Sequence, residues 1–352
     1  MKKLLVILLL ASGVYACTGN RMASVVSPRF AGGSYEDSLR FIYSQDPARW
    51  PLPDVRTGVR WNELAALPHR DTDTGTAVVR LGKLLFFDPR LSESNKISCA
   101  SCHQPELSWT DGRERSLGHE DQSNKRNSPT ILNSWFYTSL FWDGRSRSLE
   151  DQAFSPINSE TEMHSDMPTV IGKLRKIEGY VTLFREAFND EGINPETLTE
   201  ALAVFQRTLS SQPADFDRFL SGDRKALSDE ALRGLHLFRT AAGCMNCHNG
   251  PLLSDNGFHN GGLPVSTARR ADQGRYEFTK DSSDIGRYRT PSLRDVTRTG
   301  PWMHDGSIRT LDSLPARHLA AQLRPQQVSD LIAFLQSISA DPPVFRRPAL
   351  PQ

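Results

Sequence analysis

Apolar side chains recur at helical spacing in several segments of the chain. The clearest case starts at Asn194 and Pro195, residue types typical of a helix N-cap and first turn. Apolar residues follow at intervals of three and four, at Leu198, Leu202, Phe205 and Leu209. The pattern predicts an amphipathic helix. The stretch Ser-Ser-Gln-Pro-Ala-Asp after it is typical of a linker.

Two more helices are predicted further along. Ser228 has the character of an N-cap, with two acidic residues in the first turn and Leu227 placed to pack against Leu232. Pro325 opens a second pattern, with Val328, Leu331, Ile332, Leu335 and Ile338 on one face. No segment shows sustained alternation of apolar and polar residues. The sequence therefore predicts an all-α protein whose two halves are similar.

The N-terminus has the form of an export signal. A charged Lys2-Lys3 pair precedes an apolar run from Leu4 to Gly13, and a cysteine, Cys17, follows. We expect residues 1–16 to be a signal peptide. Cys17 resembles the lipid-modified cysteine of bacterial lipoproteins, although Tyr15 stands where a smaller residue is usual, and plain signal cleavage is the alternative. Residues 17–46 would then form a tether in the periplasm.

Composition excludes some partners. The 352 residues carry a formal charge of +1, which gives no electrostatic reason to expect nucleic acid. Only 38% of the residues are hydrophobic, and the chain has 24 Gly and 22 Pro. A large apolar cofactor in each half would compensate for so small a side-chain core.

The remaining four cysteines form two copies of the c-type haem attachment pattern. They are Cys99 and Cys102 followed by His103, and Cys244 and Cys247 followed by His248. Two thiols three positions apart can both bond the haem vinyl groups, and the adjacent histidine can bind the iron. A pair of disulfides would leave both histidines unexplained, and the spacing is unsuitable for zinc. We predict two covalent haem c groups.

Residues from about Leu81 to Leu335 resemble the bacterial dihaem cytochrome c peroxidase and MauG superfamily. The resemblance rests on these motifs in order: Leu81-Gly82-Lys83-Leu84-Leu85-Phe86-Phe87-Asp88-Pro89-Arg90-Leu91-Ser92, the first haem motif, Arg126-Asn127-Ser128-Pro129-Thr130, Trp142-Asp143-Gly144-Arg145, Glu162-Met163, the second haem motif, and His304-Asp305-Gly306 with Thr310-Leu311. It implies two cytochrome c-like domains, an N-terminal peroxidatic one over 47–210 and a C-terminal electron-transfer one over 211–352.

The resemblance also implies roles for three residues. Glu162 matches the catalytic glutamate that moves the peroxide proton, and Trp142 matches the tryptophan between the haems. His119 stands where many such peroxidases have a histidine that binds the N-terminal haem iron in the oxidised state and leaves on reduction of the other haem. Judged by local sequence alone, Glu162 is a solvated acid, Trp142 a core residue and His119 a loop histidine.

The sequence departs from the family at the distal side of the second haem. The peroxidases have methionine, and MauG has tyrosine, eight residues after the threonine that matches Thr310; here that residue is His318. Met303 is a competing ligand, and an open iron position is a third alternative. A second imidazole in place of methionine lowers the haem potential.

The resemblance further implies partners and an ion. A calcium site between the domains maps onto Asn127 and the backbone carbonyls of Thr299 and Pro301, residues that otherwise suggest turns. Expected partners are hydrogen peroxide, a small electron donor such as a cytochrome c or cupredoxin, and a second copy of the chain in a homodimer.

The favoured function is reduction of hydrogen peroxide to water at the N-terminal haem, with electrons relayed from the C-terminal haem. A MauG-like oxidase that modifies a partner protein is the enzymatic alternative. A dihaem electron carrier is the non-enzymatic one.

Overall fold

The computed structural model describes residues 33–68, 73–262, 272–318 and 322–352, and this part of the chain is mostly helical, as predicted. The segment with the export signal and Cys17 lies outside the described residues. The α-helices are α1 (Tyr35–Tyr43), α2 (Ala77–Phe87), α3 (Cys99–Cys102), α4 (Leu149–Asn158), α5 (Met167–Leu174), α6 (Glu178–Phe188), α7 (Pro195–Gln206), α8 (Asp215–Leu220), α9 (Asp229–Arg239), α10 (Tyr276–Thr279), α11 (Ser313–His318) and α12 (Pro325–Ser337). Strands β1 (Phe258–His259) and β2 (Tyr288–Arg289) form an antiparallel ribbon that the sequence pattern did not predict.

The predicted helix starts agree with the structure. The side chains of Asn194 and Ser228 accept hydrogen bonds from backbone N–H groups in the first turns of α7 and α9. Pro325 opens α12. Helix α9 ends at Arg239, before the second haem motif begins at Cys244.

Buried apolar side chains form two main clusters. One contains α2, α4–α7 and the first haem motif, and the other contains α1, α8, α9, α12 and the second motif. The C-terminal segment packs against the first cluster, where the ring of Phe345 stacks on that of Phe87 in α2. These clusters suit a two-domain division, although the boundaries at 46 and 210 stay a prediction.

Part of the predicted tether is folded. Helix α1 lies within residues 17–46 and buries Leu39 and Tyr43, which are 0% and 1% exposed. These two residues are four apart and therefore share a helix face. They pack on the second cluster, and the Tyr43 hydroxyl lies 2.8 Å from Nδ1 of His236 in α9. Burial of this face accounts for the packing of α1 on the second cluster.

The same close helix contact occurs in both clusters. Helix α2 crosses α7 at Gly82, and helix α9 crosses α12 at Gly234. A Cβ atom at either glycine would lie 1.9 Å from a backbone oxygen, of Ala201 in the first case and of Asp330 in the second. Only glycine permits this separation. The repeated contact indicates that the two halves use one packing scheme.

We expect Gly82→Ala to destabilise the fold by about 1–3 kcal/mol, because the added methyl must push α2 away from α7. Gly172→Ala in α5 is the matched control, since a Cβ there meets nothing within 4 Å. The control should leave the free energy of unfolding unchanged or raise it by up to about 1 kcal/mol. Chemical denaturation followed by circular dichroism measures both. Equal stabilities for the two variants would contradict the close contact.

Among the described residues, no helix combines the length and the apolar character needed to cross a membrane.

Candidate active site

The first haem motif opens onto a cavity of about 550 Å³. Helix α3 carries Cys99 and Cys102, and both cysteines line this cavity with His103. The backbone N–H of His103 donates to the carbonyl of Cys99, which closes the turn and sets the histidine beside the thiols. The sequence motif therefore becomes one compact attachment surface.

The ring of His103 is oriented for metal binding. Its Nδ1 lies 3.1 Å from the carbonyl oxygen of Trp109. A carbonyl can only accept, so Nδ1 carries the proton and Nε2 keeps its lone pair. Burial lowers the pKa of His103 below its usual range. The imidazole is therefore neutral at pH 7, the state in which it can bind a metal.

Glu162 lines the same cavity. It follows α4 in a turn closed by its own N–H, which donates to the carbonyl of Ser159. Burial raises the pKa of Glu162 above its usual value, and the charge of Arg145 opposes this shift only in part. The structure thus places a carboxyl of raised proton affinity in the cavity of the first haem motif.

Trp142 lines both this cavity and the one at the second haem motif. It is 8% exposed, and its indole N–H donates to the carbonyl of Asn127 at 2.9 Å. Its ring meets the ring of His304 edge-on, with centroids 6.5 Å apart. An oxidisable indole therefore lies between the two cavities, held by a hydrogen bond.

The second haem motif lines a cavity of about 810 Å³. Cys244 lies in a short 3-10 turn, and the N–H of His248 donates to the Cys244 carbonyl at 2.8 Å. The Nδ1–H of His248 donates to the carbonyl of Leu253 at 3.0 Å, so its Nε2 keeps the lone pair. Burial, together with His318, lowers the pKa of His248 to about 4. This imidazole is also neutral at pH 7.

His318 faces His248 across the second cavity. Their ring centroids are 6.1 Å apart, and Nδ1 of His318 donates to the carbonyl of Gly261 at 2.7 Å. Two imidazoles that bind one metal ion from opposite sides have centroids roughly 6 Å apart, since each metal–nitrogen bond is about 2 Å. Met303 also lines this cavity. The structure thus brings both candidate ligands to the second motif, with His318 at the spacing of a ligand pair.

His119 does not line the first cavity, although its neighbour Gly118 does. Its backbone N–H donates to the carbonyl of Glu162 at 2.8 Å. Its ring stacks on that of His164, with centroids 4.3 Å apart. The structure therefore places His119 beside Glu162 but not on the lining of the cavity.

The predicted calcium residues lie at a junction of loops. The side-chain amide of Asn127 donates to the carbonyl of Arg113 at 3.0 Å, and its backbone N–H donates to the carbonyl of His304. The Thr299 hydroxyl donates to the carbonyl of Val296. Pro301 lines an open surface pocket. These hydrogen bonds account for the local structure, and within the described part of the chain no hydrogen bond joins Asn127, Thr299 and Pro301 to one another.

A charged cluster near Trp142 was not anticipated from the sequence. The guanidinium of Arg126 contacts Asp143 and Asp272, each at 2.7 Å. Burial alone would raise the pKa of Asp272, but Arg126 holds it at about 2. Arg126 and Asp143 belong to the motifs shared with the family, so the sequence drew attention to them. Asp272 lies far along the chain, and nothing in the sequence pattern drew attention to it.

Proteins of similar sequence are known. Residues 76–225 match the family model of di-haem cytochrome c peroxidase. The chain is 40% identical to the methylamine utilization protein MauG of Methylorubrum extorquens over 310 residues, which is 83% of this chain and 87% of that protein. It is 38% identical to cytochrome c551 peroxidase of Pseudomonas aeruginosa over 343 residues, covering 95% of this chain and 94% of the relative.

The chain belongs to the di-haem cytochrome c peroxidase family. The predicted resemblance is confirmed, and the protein is an oxidoreductase of the peroxidase type. A solved structure, of a MauG-like protein associated with microbial copper homeostasis, superimposes with a TM-score of 0.69 at 28% identity, covering 82% of this chain and 93% of that one.

The residues present fit the two haem groups that the family implies. Each cavity lies within the range of about 300–1,000 Å³ typical of cofactor sites. Each is lined by two thiols and by a neutral histidine whose Nδ1 is engaged with a backbone carbonyl. Those donors are what c-type attachment and axial iron ligation require.

Proposed function

We propose that this protein reduces hydrogen peroxide to water in the first cavity, using electrons that a small redox protein supplies through the second. The overall reaction joins one peroxide, two electrons and two protons to give two waters. The observation that carries the proposal is Glu162, a buried carboxyl in the same cavity as the thiols and histidine of the first haem motif. An electron carrier needs no proton-transferring group there.

Haem bound in the first cavity would supply the iron centre at which the O–O bond of peroxide is cleaved. His103 would bind the iron through Nε2, held by the carbonyl of Trp109. Glu162 would accept the proton of peroxide on its carboxylate and return it to the departing oxygen. Its raised pKa suits both steps, because a carboxyl that ionises nearer neutral pH is a better proton acceptor.

Trp142 is proposed as the group through which electrons pass between the cavities. The support is its place on the lining of both. Its hydrogen bond to the Asn127 carbonyl fixes the indole, so the path does not depend on side-chain motion.

At the second cavity, His248 and His318 are proposed as the two residues that would bind the haem iron. Their 6.1 Å centroid separation and the two Nδ1–carbonyl hydrogen bonds support this pair. Two imidazoles would make the electron-entry haem harder to reduce than a histidine–methionine pair.

A MauG-like oxidation of a partner protein is a second candidate, favoured by the position of His119. With this side chain outside the first cavity, His119 would not bind a haem iron held by His103, so peroxide could enter without prior reduction of the other haem. His119 as a gating ligand remains a proposal that requires the side chain to enter the cavity.

Haem content and peroxide turnover in two oxidation states together separate these functions. The exported holoprotein should carry two haem masses per chain and should consume peroxide with a reduced c-type cytochrome as donor. With His119 as a gate, the fully oxidised enzyme should be slow, the half-reduced enzyme faster, and His119→Gly should lose the lag. Rapid reaction of the oxidised wild type would favour the MauG-like function. Absence of turnover in both states would contradict the peroxidase.

The remaining sequence expectations are also proposed. Export to the periplasm and lipid attachment at Cys17 rest on the signal pattern of residues 1–16. The calcium site at Asn127, Thr299 and Pro301, the homodimer, and the domain limits 47–210 and 211–352 rest on the family resemblance. Oxygen ligands from an asparagine and two carbonyls suit calcium.

A further inference from the structure

Three potential metal ligands meet on the outer side of the first cavity. They are Glu93, His119 and His164, and one ligand atom from each lies within 4.8 Å of the other two. Glu93 is 56% exposed at its side chain, while the side chains of His119 and His164 are 14% and 42% exposed. The group is therefore accessible from solvent at Glu93 and His164 and largely covered at His119.

The distances within this group differ from those of a hydrogen bond. A carboxylate oxygen of Glu93 lies 3.4 Å from Nε2 of His164 and 3.7 Å from Nε2 of His119. By contrast, His259 and Asp255 in the same protein make an ordinary hydrogen bond of 2.7 Å. Two ligand atoms bound at about 2.0–2.1 Å to a tetrahedral zinc ion are about 3.3 Å apart. The 3.4 Å between Glu93 and His164 is close to that value, and the 3.7 Å between Glu93 and His119 is somewhat longer.

The ring of His164 is oriented as a metal ligand. Its Nδ1–H donates to the carbonyl of Glu160 at 3.1 Å, which leaves the Nε2 lone pair directed toward Glu93. Nδ1 of His119 is buried and has no hydrogen-bond partner among the described residues. The two imidazoles stack with their centroids 4.3 Å apart, and Nε2 of each faces the same Glu93 oxygen without a hydrogen bond to it.

Backbone hydrogen bonds hold the three segments together. The N–H of Glu93 donates to the carbonyl of Met163 at 3.0 Å, and the N–H of His119 donates to the carbonyl of Glu162 at 2.8 Å. A Cβ at Gly118 would lie 2.0 Å from the backbone oxygen of Thr161, so this approach requires glycine. The segment 161–164 thus positions all three side chains before any ion binds.

We propose that Glu93, His119 and His164 bind a divalent transition-metal ion of the zinc type. Two imidazoles and one carboxylate are the donor set that such borderline ions take, and a solvent molecule completes a tetrahedron on the exposed side. The hard cations calcium and magnesium, which prefer six or more oxygen ligands, do not fit this group.

Zinc alone is the probe, because it is redox-inert and leaves the haem oxidation states unchanged. Isothermal titration calorimetry of the oxidised holoprotein with zinc should show one bound ion whose affinity depends on Glu93, His119 and His164. His164→Ala and Glu93→Gln should weaken that binding about tenfold or more. Glu160→Gln is the matched control, since it removes an exposed charge on the same loop and keeps the carbonyl that holds His164; it should bind as the wild type does. X-ray absorption spectroscopy at the zinc edge should show two imidazole nitrogens bound to the zinc ion.

Binding that is unchanged in His164→Ala and Glu93→Gln, or no binding in the wild type, would overturn the metal site. Both variants alter partly exposed side chains, so loss of the fold does not confuse the result.

The site also bears on the gate, and this part rests on the proposed function. One His119 imidazole cannot bind zinc here and the first haem iron at the same time. In the oxidised protein, zinc should therefore raise the high-spin fraction of the N-terminal haem. If zinc binds with the variant pattern above and the haem spectrum stays constant, the metal site stands and the gating role of His119 fails.

Discussion

Glu162→Gln should lower peroxide turnover at least about a hundredfold while leaving both haem groups and the fold in place. Glutamine keeps the size of the side chain but cannot take up and return a proton. The effect falls on the chemical step, so kcat and kcat/KM should fall together. Steady-state kinetics with the half-reduced enzyme measures it.

The control for this variant is Glu160→Gln, which neutralises an exposed carboxylate two residues away and should retain wild-type turnover. The pH profile gives an independent check. Because burial raises the pKa of Glu162, the carboxylate that accepts the peroxide proton is lost as pH falls through that raised value. The acid limb should therefore lie at higher pH than the 4.5 of an ordinary glutamate, and it should vanish in Glu162→Gln. Equal turnover in both variants would remove Glu162 from the mechanism.

His318→Ala should convert the C-terminal haem from low-spin to high-spin throughout the ferric population. Alanine leaves His248 as the single imidazole ligand, and water or an empty position gives a weaker axial field. His318→Met should keep the iron low-spin and raise the haem potential, since methionine ligation favours the reduced state. EPR and potentiometric titration measure these changes.

Met303→Leu is the matched test of the competing ligand. It should leave the spectrum of the C-terminal haem unchanged if His318 is bound. If the C-terminal haem stays low-spin in His318→Ala and turns high-spin in Met303→Leu, the ligand is Met303. The wild type would then be the ordinary histidine–methionine type of electron-entry haem.

Local patterns were sufficient to predict three of the α-helices, α7, α9 and α12, and the helical character of the chain. Asn194, Ser228 and Pro325 mark helix starts through hydrogen bonds or ring geometry confined to a few neighbouring residues, and such signals are readable in sequence. Helix α1 had a similar signal, a capping box between Ser34 and Asp37, which the export-signal reading of the N-terminus obscured. The two-residue strands β1 and β2 are too short for alternation to show.

The candidate site divides in the same way. The attachment residues and the alignment of Glu162 and Trp142 with family motifs are sequence properties. Two facts required the tertiary structure: Trp142 lines both cavities, and Asp272 reaches Arg126 across 146 positions. The position of His119 is a third, because local sequence does not tell whether a loop histidine faces the cavity or His164.

The sequence by itself determined the two haem attachment motifs, the family and the helical character, since each depends on residue types at fixed short spacing. The tertiary structure decided which distant groups share an environment: Glu162 with the first motif, His318 opposite His248, and Glu93 with His119 and His164. The physical reason is that pKa shifts and ligand geometry arise from burial and from distances of a few ångströms. Those distances are set by helix crossings such as Gly82 against Ala201 and by backbone contacts between loops.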